Sequence, residues 1–158
     1  MDNLQRVFSK LMPRDLNVVD QQALVGGCIS EGCRVVTEDV QGRRQQWFVK
    51  MNRESFLGNF QAEAAGLKCL AAVEAIETPQ PEAVGVSGDQ AWLITKWIDQ
   101  QTPGKNFFRD FGARLADMHR CTSGTRIGLD RDNFLGAAKQ INGSKGQWVD
   151  FVAENRLG

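Results

Sequence analysis

Between two strand-like stretches the chain reads Gly26-Gly27-Cys28-Ile29-Ser30-Glu31-Gly32, and about one hairpin later the apolar run Trp47-Phe48-Val49 ends on Lys50. No other part of the sequence restricts the fold as much. Glycines let a backbone hairpin approach a chain of phosphates without Cβ clashes, and a cation rising from the next strand can pair with the same phosphates. Such a cation needs a carboxylate to hold it. The helical segment from Phe60 to Leu67 offers Glu63. Each piece taken singly has a plain reading: a glycine-rich turn, an edge lysine, a solvated helix glutamate. Their order, glycine hairpin then strand lysine then helix glutamate, favours an ion pair beside a phosphate loop.

The surrounding periodicity gives the frame. Asn17 to Val25 and Cys33 to Val40 read as strands flanking the glycine turn, and Gln46 to Asn52 as a third strand entered through Gln41-Gly42-Arg43. From Phe56 through Ala75 the pattern becomes helical, with Phe60, Ala64, Leu67 and Ala71 on one stripe. Two prolines between Ile76 and Pro81 enforce an extended connection. Ala83 to Val86 and Trp92 to Ile98 form a hairpin around Ser87-Gly88-Asp89-Gln90, and the polar stretch Asp99 to Gly104 marks a lobe boundary. The expected fold is α+β: a small lobe over residues 1–98 with a five-stranded antiparallel sheet, a helix and an N-terminal helix carrying Leu4, Val7, Phe8 and Leu11. Residues 99–158 then open a second lobe. There Asn106 to His119 is helical, Arg120 to Gly146 mostly loop, and Lys145 to Asn155 an amphipathic helix with Trp148, Phe151 and Val152.

Nineteen basic and nineteen acidic residues cancel among the 158, so no polyelectrolyte face for nucleic acid or an anionic membrane is advertised. No stretch approaches eighteen apolar residues, and the N-terminal segment is interrupted by Arg6 and Lys10; a cytoplasmic protein is expected. Cys28, Cys33, Cys69 and Cys121 lack zinc-site spacing and read as free thiols. Cys28 lies in the phosphate loop, where backbone amides could lower its pKa; a small residue tolerated in a turn is the plainer reading. His119 suits a capping or packing role at a helix C-terminus. Arg53 and Glu54 read as surface charges. Asp132 and Asn133 resemble a turn or helix cap, with ligand contact left open.

In this order the pieces resemble the fructosamine/ketosamine 3-kinase family, a relative of the aminoglycoside phosphotransferases with the protein-kinase-like fold. The likeness rests on Gly26 to Ser30, Phe48-Val49-Lys50, Phe60 to Leu67, Arg114 to His119, Ile127 to Asp130, Asp132 to Gly136, Gln140-Ile141-Asn142 and Trp148 to Phe151. The resemblance implies ATP-dependent phosphorylation of the sugar 3-hydroxyl of ketosamines carried by amines or protein lysines, a deglycation step, with Mg2+ as the accompanying metal. It also implies roles at matching positions. Lys50 would pair with the ATP phosphates and Glu63 would orient it. Gly27, Cys28, Ile29, Ser30 and Gly32 would cover the triphosphate, and Lys96, Trp97 and Ile98 would offer backbone groups to the adenine. Lys96 departs from the acidic residue often found there.

A larger departure concerns catalysis. The family's His-Gly-Asp segment with its following Asn, and its later metal-binding Asp, have no counterpart in this sequence, whose sole histidine is followed by Arg120. The expectation is an ATP-binding half that is inactive alone, its catalytic Asp and metal ligands belonging to a part beyond Gly158. The alternative is a noncatalytic nucleotide- or partner-binding module derived from that lobe. Either way, exposed apolar faces would invite self-association or pairing with another chain.

Overall fold

The computed structural model describes residues 2–26, 29–121 and 127–157. Helix α1 (Asp2–Leu11) leads into strands β1 (Leu16–Leu24), β2 (Glu31–Asp39) and β3 (Arg44–Arg53). A 3-10 turn at Glu54–Phe56 starts helix α2 (Leu57–Ala71), and β4 (Pro81–Ser87) and β5 (Gln90–Lys96) follow. Beyond them lie α3 (Phe107–Arg120), the short strands β6 (Asn133–Leu135) and β7 (Ala138–Gln140), and α4 (Trp148–Val152), which continues as a π-helical turn over Ala153–Leu157. The first five strands form one antiparallel sheet in the order β1-β2-β3-β5-β4. The expected α+β class and five-stranded sheet are what the chain adopts.

Strand alternation sorts the side chains of this sheet onto two faces. On one face Val35, Trp47, Val49, Trp92 and Ile94 meet Leu4, Val7 and Phe8 of α1, and this is the larger of two buried clusters. The Trp47 indole N–H, fully buried, donates to the Thr37 hydroxyl at 2.8 Å, so the polar atom of one of the two buried tryptophans is satisfied. On the other face Phe60 and Ala64 of α2 pack on Ala91 and Leu93. Helix α2 therefore sits over the β4–β5 side of the sheet. Phe48, Lys50 and Asn52, alternating with the core residues of β3, share the face that carries α2.

Several boundaries differ from the sequence reading, each for a local reason. β5 ends at Lys96, so Trp97 and Ile98 lie past the strand; the Trp97 amide makes one last bond, to the Gln46 carbonyl at 3.2 Å. Gly32 belongs to β2 and not to the turn before it. The stretch expected to be loop contains the β6–β7 hairpin, which packs on α2. The last helix starts at Trp148 rather than near Lys145. Its apolar stripe is also less exposed than expected. Phe151 is buried, stacked on Trp148 and capped by the Arg156 guanidinium, and Val152 is half-buried. By contrast α3 has no buried residue among those described, and in the open Phe107 stacks on Phe111 and meets Phe108 edge-on.

Candidate nucleotide-binding site

Lys50 sits on the central strand of the sheet, opposite Gly32 of β2 and Leu93 of β5. Its ammonium donates to both carboxylate oxygens of Glu63, at 2.8 and 2.9 Å. Glu63 lies midway along α2 on the side turned to the sheet, so the pair links the central strand to the helix. About a third of each side chain remains accessible. The lysine is thus held in place while still able to meet an anion. A charge-assisted, two-pronged pair fixes the direction of the cation better than a single contact would.

The glycine loop approaches from the β1–β2 end. The Asn52 side-chain amide, two residues after Lys50 on the same strand face, donates to the Ile29 carbonyl at 2.7 Å and to the Ser30 hydroxyl at 3.1 Å. Gly32 lies against the Phe48 ring: a Cβ there would stand 3.2 Å from the ring edge, tighter than such contacts normally run. Gly27 and Cys28 fall outside the described residues.

Ile29, Ser30, Lys50 and Glu63 line one cavity of about 460 Å³, together with Phe56, Asn59, Asn133, Phe134 and Gly136. Lys96, Trp97 and Ile98 do not line it. The Lys96 and Trp97 amides are committed to the Gln80 and Gln46 carbonyls. The Lys96 ammonium points to the other side of the sheet, 3.5 Å from Glu82, which Arg14 also approaches at 3.5 Å. Trp97 donates its indole N–H to Asp99 and lies under the Arg34 guanidinium.

The sequence reading missed Asn52, Asn59, Phe134 and Gly136. Two of them carry a signal in hindsight: Asn52 stands two along a strand from Lys50, and Asn59 four along a helix from Glu63, so both share a face with an expected site residue. The hairpin wall is held from behind by Asn142, which is nearly fully buried. Its backbone N–H donates to Asp132 at 2.9 Å, its side-chain amide donates to Asn133 at 2.7 Å, and Arg156 donates to its oxygen. That N–H, with the Lys139 ammonium at 3.0 Å, holds the Asp132 carboxyl below the ordinary aspartate range. Asp132 is thus a hairpin tie, one of the two readings its sequence context left open. Burial pushes the Cys33 thiol upward. Among the described residues no three His, Cys, Asp or Glu side chains converge as a metal site.

Comparison with known proteins points to one family. A sequence profile of the fructosamine kinase family matches residues 1–158. The chain belongs to the fructosamine kinase family. It is 31% identical over 151 residues to the probable ketoamine kinase of Synechocystis sp., covering 96% of this chain and 50% of that protein. A probable ketoamine kinase of Vibrio vulnificus is 29% identical over 157 residues, with 98% and 52% covered. The crystal structure of a protein assigned as a fructosamine-3-kinase from Haemophilus somnus 129PT superposes with a TM-score of 0.83 at 25% identity, covering 99% of this chain and 51% of that one. The fold is therefore kinase-like, and the chain spans about half the length of the curated relatives it matches. Among the described residues no helix is long and apolar enough to cross a membrane.

Proposed function

We propose that this chain is the ATP-binding side of a ketosamine kinase, one that phosphorylates the sugar 3-hydroxyl of glycated amines or proteins. The observation that carries the reading is the two-pronged Lys50–Glu63 pair opening into the same cavity as Ile29 and Ser30 of the glycine loop. In this reading Lys50 holds the phosphates, Glu63 aims Lys50, and Gly27, Cys28, Ile29, Ser30 and Gly32 lie over the triphosphate. Beyond β5 the carbonyls and the Ile98 amide meet the adenine edge, since the Lys96 and Trp97 N–H groups are already bonded. Trp97, with its indole tethered to Asp99, borders that edge. Residues 1–98 then serve as the nucleotide lobe and residues 99–158 open the acceptor lobe.

Phosphoryl transfer also needs a group to take the proton of the acceptor hydroxyl and, in kinases, a metal on the phosphates. The sequence has no His-Gly-Asp segment, among the described residues no three His, Cys, Asp or Glu side chains converge, and Glu63 is committed to Lys50. In this reading the chain by itself binds nucleotide without turning it over. ATP titration of the wild type and of Lys50→Ala in the same salt tests the binding half. Losing a charge-assisted phosphate contact should weaken affinity about tenfold or more, and equal affinities would remove Lys50 from the site. Incubation with ATP, magnesium and a fructosamine tests the other half. No turnover is expected; a rate near the enzyme median of about 10 per second would mean that groups within this chain perform the chemistry.

A further inference from the structure

Four contacts close a ring around the cavity, and only one of them is the lysine-glutamate pair. Lys50 ties β3 to α2 through Glu63. Asn59, one helical turn before Glu63, donates its side-chain amide to the Gly136 carbonyl at 3.0 Å and so ties α2 to the β6–β7 hairpin. At Gly136 the hairpin meets the glycine loop. The backbone there has φ +63°, a turn conformation that favours glycine, and an added Cβ would stand 2.7 Å from Ile29 Cδ1, so the turn lies close against the Ile29 side chain. Asn52 returns the loop to β3 through Ile29 and Ser30.

We infer that the β6–β7 hairpin is a positioning element for the phosphate loop, acting through Asn59 and Gly136, with Asn52 as the opposing tie. The inference rests on the nucleotide-site reading above and deepens it. None of these residues needs to touch the nucleotide. A glycine-rich loop is entropically costly to order, and its amides help a polyphosphate only if they are already aimed at it. Asn52 on one flank, and on the other the contact of Ile29 with the Gly136 turn that Asn59 holds, reduce that cost before the ligand arrives. The hairpin is itself braced, because Asn142, Asp132 and Arg156 fix its base. The ring therefore has a rigid corner, and it sets the loop and the helix glutamate at one spacing across the cavity. Phe134 packs the hairpin on the helix, and the approach of Gly136 to Ile29 adds a contact with the loop.

Asn59→Asp and Asn52→Asp test this, because each keeps the side-chain shape while replacing the donor with an oxygen that faces a carbonyl. Amide hydrogen exchange on the nucleotide-free chain should speed up at Ser30 to Gly32 in both variants, by about three- to tenfold for one lost hydrogen bond. The amides of β3 and β5 should keep their wild-type rates. ATP affinity should fall by a similar factor while adenosine, which lacks phosphates, binds as before. Unchanged loop exchange in Asn59→Asp would overturn the role of the hairpin. Equal losses for ATP and adenosine, or exchange that rises throughout the sheet, would overturn it too, since they mark a general loss of structure. If the wild type fails to bind ATP, the nucleotide-site reading falls, and loop exchange alone then decides whether the ring exists.

Discussion

Thr37 and Trp47 show what one residue contributes to the sheet beneath the site. Both are fully buried, and the indole N–H has the Thr37 hydroxyl as its partner. Thr37→Val keeps the shape and strands that N–H, which should cost about 1 to 3 kcal/mol in denaturant melts; Trp47→Phe placed on top should cost less than it does in the wild type, because the orphaned group is gone. The thiols make a second test. Burial raises Cys33 above the ordinary thiol range while Cys69 and Cys121 are exposed. Peptide mapping after brief alkylation near neutral pH should find Cys69 and Cys121 modified well before Cys33. At this scale the sequence was legible where order mattered and illegible where facing mattered. Lys50 and Glu63 followed from the succession of loop, strand and helix. Lys96 was placed for its backbone groups, and the sequence left open where its side chain goes: alternation with the buried Leu93 and Thr95 turns it to the opposite sheet face, toward Glu82.

Elements with long periodic patterns were readable, and those held by polar contacts were not. β1 to β5 and α2 each carry enough apolar repeats to announce themselves. The β6 and β7 strands have three residues each, too few for alternation to register, and their base is fixed by Asn142, Asp132 and Lys139. Phe151 looked like an exposed stripe residue because the sequence does not reveal that Arg156 and Trp148 fold over it. The hairpin should accordingly respond to acid. The Asp132 pKa is depressed in the folded chain, so its contribution is present above the unfolded aspartate value of about 3.9 and is lost as pH falls through the lower folded value. Exchange of the Asn142 amide, corrected for intrinsic rates, should accelerate below about pH 4. In Asp132→Asn that extra acid dependence should vanish. Persistence of the dependence in the variant would assign it to another carboxylate.

At the level of the whole molecule the two buried clusters sit on opposite faces of one sheet, and helix α3 belongs to neither. Phe107, Phe108 and Phe111 are 45%, 78% and 42% exposed, and Trp148 and Val149 are 62% and 71% exposed. Full burial of a large apolar side chain is worth roughly 1.5 to 3 kcal/mol, so covering even part of this surface competes with the entire net stability of a domain, about 5 to 15 kcal/mol. Such a surface drives association when concentration allows it. The chain on its own should therefore show a mass that rises with concentration in light scattering. Phe108→Glu, which changes the most exposed of the three phenylalanines, should push the rise to higher concentration without moving the melt of the sheet, since Phe108 contributes to neither buried cluster. A monodisperse monomer across the series would mean that the aromatic stack satisfies itself, and pairing with another chain would then need a driving surface other than α3.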